Sequence, residues 1–99
     1  MLNIEKTSRA SELTVALSGR LDTNTAPALE AALRDSIDGV TALTIDMAAL
    51  EYISSAGLRV LLAAQKIMGK QGGMKLTHVN ETILEIFEVT GFSDILTIE

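Results

Sequence analysis

Asp46-Met47-Ala48-Ala49-Leu50-Glu51-Tyr52-Ile53-Ser54-Ser55-Ala56-Gly57-Leu58-Arg59 contains the transition on which the reading of the whole chain turns. Leu43-Thr44-Ile45-Asp46-Met47 is a short apolar run suited to the middle of a sheet. Ala48–Ser54 then reads as a loop, and a helix is predicted over about residues 55–69. A serine at such a junction is a good N-cap, and a phosphate on it would sit where the helix dipole favours negative charge. Gly57 so early in a helix costs about 1 kcal/mol relative to Ala. Close approach of a neighbouring backbone or of a partner would account for it.

Upstream of this stretch, residues 2–9 and 12–18 read as two strands. Leu13, Val15 and Leu17 alternate with Thr14, Ala16 and Ser18, the period of a strand with one buried face, and Gly19 ends it. A helix is predicted over about 25–37, opening at Thr23, Asn24 or Thr25 with Pro27 in its first turn. Ala26, Leu29, Leu33 and Ile37 form its apolar stripe, and Asp38-Gly39 closes it.

Downstream, Gly72-Gly73 is a turn and Met74–Val79 a strand. Asn80 caps a third helix over about 81–89, with Ile83, Leu84, Ile86 and Phe87 facing inward and Gly91 placed to terminate it. Ile95–Ile98 reads as a short edge strand. The order ββαβαβα(β) predicts an α/β fold in one domain spanning residues 1–99. A mixed sheet of four to five strands, parallel in its later part, has helices packed against it.

Composition narrows the function. A chain of 99 residues that is 47% hydrophobic and 21% charged has the balance of a folded globule with one modest core. A net charge of −5 disfavours nucleic acid as a partner, since no basic surface is available to neutralise phosphates. The absence of cysteine removes disulfides and thiolate metal sites, and no other spacing suggests a metal or cofactor. No apolar run reaches the roughly 20 residues of a membrane span, and no basic-then-apolar leader opens the chain. Membrane insertion is therefore not expected, and the expected address is the cytoplasm.

Placed at about 100° per residue, Ser55, Arg59, Lys66 and Lys70 share one exposed stripe of the second helix. Leu58, Leu61, Ala64 and Met68 are the core candidates. Leu62 falls at the edge of the polar sector and Ala63 just beyond the other edge. Leu62 is then either a partner contact or a residue half-buried against a neighbouring element. Arg59, one turn beyond Ser55, is either within reach of a phosphate added there or a solvated surface arginine. The lysines suit the C-terminal end of the helix dipole and need no further reason.

Catalysis finds little support. Ile53-Ser54-Ser55-Ala56-Gly57 is not a nucleophile elbow, and the only imidazole, His78, sits at a strand end where a structural role is the ordinary one. Acid–base work by Asp22 and Asp46 has no second feature behind it. Gly69-Lys70-Gln71-Gly72-Gly73 follows a helix and opens a strand, the reverse of a phosphate loop, so any phosphate must come from another protein.

The chain resembles the STAS domains, and within them the stand-alone anti-sigma factor antagonists. The residues that carry this are Gly19-Arg20-Leu21-Asp22, Thr25-Ala26-Pro27, Leu43–Asp46 and above all Tyr52-Ile53-Ser54-Ser55-Ala56-Gly57-Leu58. The resemblance implies a partner-switching protein that is not an enzyme. Unphosphorylated, it would bind an anti-sigma factor that is also a serine kinase; phosphorylation of the serine opening the second helix would release it, and a PP2C-type phosphatase would reset it.

Ser55 matches the phosphoacceptor, with Ser54 the lesser alternative. Asp22 matches an acidic residue near that serine, and Asp46 the one ending the central strand. The partner-binding set is then Asp22, Thr23, Asp46, Ser54, Ala56, Gly57, Arg59 and Leu62. Two departures stand out: Ser54 where many antagonists have Asp, and Ala48 where many have Ser. The alternative is a STAS subunit of another regulatory or transport complex, such as a lipid-transport ABC system. A small nucleotide-binding or hydrolytic protein, from a third class, is disfavoured by the missing phosphate loop.

Overall fold

The computed structural model describes residues 1–99. Strands β1 (Leu2–Arg9), β2 (Glu12–Leu21), β3 (Ala42–Ile53) and β4 (Gly73–Thr77) alternate in their later part with helices α1 (Ala26–Ser36), α2 (Ser55–Gln71) and α3 (Glu81–Thr90). The sheet order is β1-β2-β3-β4: β1 and β2 form an antiparallel hairpin, and β3 and β4 join parallel to β2. This is the expected α/β arrangement with four strands.

Alternation along the strands sets the layers. Leu13, Val15 and Leu17 of β2, Leu43, Ile45 and Met47 of β3, and Met74 and Leu76 of β4 are buried on one face. There they meet Leu29 and Leu33 of α1, Leu58, Leu61, Ala64 and Met68 of α2, and Ile83 and Phe87 of α3 in one continuous core. Thr14, Ala16, Thr44 and Asp46 point to the other face and are exposed or half-buried. A sheet with a single covered face reads in this alternating way.

Several expected boundaries move, each for a local reason. Residues 48–54 are not a loop: β3 runs on to Ile53. Its register against β2 slips between Ala16/Ser18 and between Gly19/Arg20, so β3 carries two extra residues as bulges, and the apolar alternation breaks at Ala48-Ala49 without the strand ending. Asp46 is therefore mid-strand rather than at a strand end. Its Oδ1 accepts the Ala48 N–H at 3.0 Å, satisfying a backbone donor freed by the first bulge.

Gly19 does not end β2 either. It adopts φ +95° beside the Met1 carbonyl, where any Cβ would collide, and the strand continues to Leu21. His78, at φ +57°, stops β4 at Thr77, short of the expected Val79. Helix α2 extends two residues past the expected 69, because Gly72 (rather than a Gly72-Gly73 turn) ends it against the Thr41 carbonyl.

The Asn80 cap is present: its Oδ1 accepts the Ile83 N–H at 2.9 Å, while its Nδ2 donates to the Leu50 carbonyl at 2.9 Å and ties α3 to β3. Gly91, at φ +81°, closes α3 in the left-handed conformation. Ile83 and Phe87 are buried, whereas Leu84 and Ile86 are half-buried. Ile95–Ile98 is not a strand. A 3₁₀ turn, Phe92–Asp94, precedes it, and only an isolated parallel bridge joins Ile98 to Leu76.

Candidate functional site

Because β2 and β3 are parallel neighbours, their carboxyl ends share one edge of the sheet. Leu21 pairs with Ile53, and the Ser54 N–H donates to the Leu21 carbonyl at 2.9 Å. The turn after β2 and the β3–α2 junction therefore lie side by side. Open α/β sheets present their binding groups in this position, beyond the carboxyl ends of parallel strands.

Ser54 occupies the N-cap position, with φ −102° and ψ 176°, and its carbonyl accepts the Leu58 N–H at 3.0 Å. Its hydroxyl makes no capping bond. The Ser54 Oγ is enclosed and without a hydrogen-bond partner, so the side-chain cap expected of a serine here is absent. Ser55 is the first helical residue and is exposed. The two hydroxyls thus differ in access: one is shut in, the other open to a visiting protein.

Gly57 is buried, and the close approach is that of two side chains of the chain itself rather than of a neighbouring backbone. A Cβ at position 57 would lie 2.7 Å from Leu21 Cγ and 2.9 Å from Ile53 Cγ1. The missing side chain lets α2 start directly over the ends of β2 and β3, which sets the position of Ser55.

Asp22 organises the opposite wall. Its Oδ1 accepts the N–H groups of Asn24 (2.9 Å) and Thr25 (3.1 Å), and the Asp22 N–H donates to Thr25 Oγ1 at 2.8 Å. The Thr25 hydroxyl in turn donates to the Arg20 carbonyl at 2.8 Å. Arg20 reaches over the Tyr52 ring, 4.4 Å from its centroid, with Nε 3.9 Å from Asp22 Oδ2. Burial alone would push the Asp22 carboxyl up. The Thr25 and Asn24 N–H groups, the Thr25 hydroxyl and the Arg20 guanidinium outweigh it and hold the pKa below its ordinary value. Asp22 is accordingly a fixed anion at neutral pH.

Thr23, Ala56 and Arg59 line a cleft of about 220 Å³ with Ala26, Pro27, Glu30 and Val60. It opens into a second cleft of about 340 Å³ between α1 and α2. Glu30 and Val60 belong to both, so the two form one furrow running from the start of α2 towards Ile67. Leu62 is half-buried and lines neither cleft.

The structure thus gathers Asp22, Thr23, Ser54, Ser55, Ala56, Gly57 and Arg59, and it sets Asp46 apart. Asp46 lies on the open face of the sheet, about 25 Å along β3 from Ser54. There its Oδ1 sits 3.1 Å from His78 Nδ1. No three His, Asp or Glu side chains converge as a metal site would require. Sequence reasoning missed the Arg20–Tyr52 stack, and Val60 as a buried wall of the furrow. Arg20 and Tyr52 pair across β2 and β3, one residue before Leu21 and Ile53, a signal that becomes usable only with the strand register in hand. Val60 is walled in by α1, which the helix alone does not reveal.

Comparison with known proteins agrees with this geometry. The family model described as "Mlab, STAS domain" matches residues 4–97. The anti-sigma-B factor antagonist of Bacillus subtilis is 30% identical over 98 residues, 98% of this chain and 90% of that protein. Among solved structures, an anti-sigma factor antagonist from Mycobacterium paratuberculosis superposes with a TM-score of 0.90 at 28% identity, covering 99% of this chain and 85% of that one. The unphosphorylated form of SpoIIAA shares the fold, with a TM-score of 0.82 at 18% identity, over 100% of this chain and 88% of its own. The chain belongs to the STAS-domain family, and within it to the anti-sigma factor antagonists.

Proposed function

We propose that this protein is a phosphorylation-controlled partner switch. Unphosphorylated, it binds an anti-sigma factor with serine-kinase activity; phosphate on Ser55 ends that complex, and a PP2C-type phosphatase restores it. The observation that carries the reading is the contrast between an open Ser55 hydroxyl on the first residue of α2 and a sealed Ser54 hydroxyl beside it. Asp22 supports it as a fixed negative charge on the neighbouring turn.

A phosphoserine adds roughly 1.5–2 negative charges at neutral pH. Covered by a partner, that dianion would have to be desolvated near Asp22 and Glu51. Leaving a buried charge uncompensated costs several kcal/mol, and about 4 kcal/mol is a thousandfold in affinity. A regulatory rather than catalytic role fits the same geometry. The single imidazole, on His78, is engaged with Asp46 on the open face of the sheet and away from both serines, which supports that reading.

Incubation with the kinase and ATP, followed by mapping of the phosphate by mass spectrometry, tests the assignment. Modification confined to Ser55 supports it; modification at a threonine, or none, removes it. A second reading is a STAS subunit of a lipid-transport or other complex, since the matched family model is that of a STAS domain as such. Co-purification from the native cell separates the two: a permease and ATPase in place of an anti-sigma factor would select the second.

A further inference from the structure

The first turns of α2 carry a cation with nothing to pair with. Arg59 is exposed and forms no ion pair, although Glu30 lines the same cleft, because Glu30 is held 3.4 Å from Arg34 on α1. Ser55 and Arg59 are four residues apart on one uninterrupted helix. That spacing puts their Cβ atoms about 6 Å apart, and helical side chains project back toward the N-terminus, so a phosphate on Ser55 falls within reach of the guanidinium. The other charges nearby are already committed or of the wrong sign. Asp22 is held by the Thr25 and Asn24 N–H groups, Arg20 lies on Tyr52 beside Asp22, and Glu51 on β3 is acidic. Lys66 and Lys70 begin about 16 Å further along the helix.

We propose that Arg59 is the intramolecular ligand of a phosphate on Ser55, a role that rests on the reading of Ser55 as the modified residue. The planar guanidinium offers paired donors to phosphate oxygens, which a lysine at the same place would not. Two things follow for the switch. Part of the phosphate charge is offset within its own helix, so the start of α2 stays formed, and the remainder is the charge a covering partner would have to desolvate. The same pairing withdraws the one cation of the adjoining cleft from any partner, so modification takes a positive group off the surface while adding a negative one. An aspartate at position 55, with a shorter side chain and less charge, reproduces only part of this.

The test places phosphoserine at position 55 during synthesis, so that no kinase is needed, and follows the second ionisation of the phosphate by ³¹P NMR. In the otherwise native chain it should titrate below the ordinary value of about 6. Arg59→Gln should raise it by about half a unit or more. Arg59→Lys should recover part of the shift, and Lys70→Gln should leave it in place. Equal values for the native and Arg59→Gln chains overturn the proposal, as does a Lys70→Gln effect as large as that of Arg59→Gln. Failure of the Ser55 reading itself appears elsewhere, as a kinase reaction that leaves Ser55 unmodified.

Discussion

At the scale of single residues, the adjacent positions 54 and 55 carry the same side chain to opposite ends. Ser54 Oγ is enclosed without a partner, so its burial opposes folding. Replacing an N-cap serine by alanine ordinarily costs about 1 kcal/mol. Here Ser54→Ala should leave the thermal midpoint unchanged or slightly raised, because no cap bond is lost and an unsatisfied hydroxyl is removed. Differential scanning calorimetry decides it, and a fall of several degrees would show that the hydroxyl has a partner after all.

Gly57 behaves in the opposite way. An added methyl improves helix propensity by about 1 kcal/mol, but it must enter space already held by Leu21 and Ile53, both essentially inaccessible to solvent. Gly57→Ala is therefore expected to destabilise by about 1 kcal/mol net, read as a lower urea midpoint with an unchanged slope. Stabilisation would mean that the two side chains can give way.

At the scale of elements, the turn joining β2 to α1 is organised by one carboxylate and so depends on pH. Asp22 has a folded-state pKa below its ordinary value of 3.8. Its contribution is thus complete above that ordinary value and is lost as pH falls through the lowered folded one. Acid unfolding followed by circular dichroism should show a shallower stability loss below about pH 4 in Asp22→Asn than in the native chain. Identical acid limbs would show that the carboxylate is no better held in the folded chain than in the unfolded one.

The β3–α2 unit shows the same dependence of function on local geometry. Two bulges lengthen β3 so that its end reaches Leu21, Gly57 seats the helix there, and Asn80 ties α3 back to Leu50. Ser55 is thus positioned by contacts made elsewhere in the chain.

At the scale of the whole molecule, the proposed switch needs a domain whose stability is indifferent to phosphate on Ser55. Ser55 is exposed and begins a helix, so a charge there disturbs no core contact and is favoured by the dipole. Ser55→Asp should change the melting temperature by no more than a degree or two, while weakening binding to the proposed anti-sigma partner by at least a hundredfold in calorimetric titration. Equal binding by the variant and native chains would count against control at the interface.

Much of this protein is readable from its amino acids one element at a time. Period-2 alternation in Leu13–Ser18, helical spacing in Ala26–Ile37 and Leu58–Met68, and the Asn80 and Gly91 caps depend on contacts within one element. They were legible for that reason, and so was the motif around Ser55. What only the tertiary structure decided depends on registers between distant segments. The bulges carried β3 through a stretch that reads as a loop, left Asp46 in mid-strand, and paired Leu21 with Ile53. Leu21 and Ile53 together explain Gly57, which the sequence marked as anomalous without supplying a cause. The isolation of Ser54 Oγ and the freedom of Arg59 arise in the same way, since whether a polar group has a partner depends on what other elements bring within about 3 Å of it.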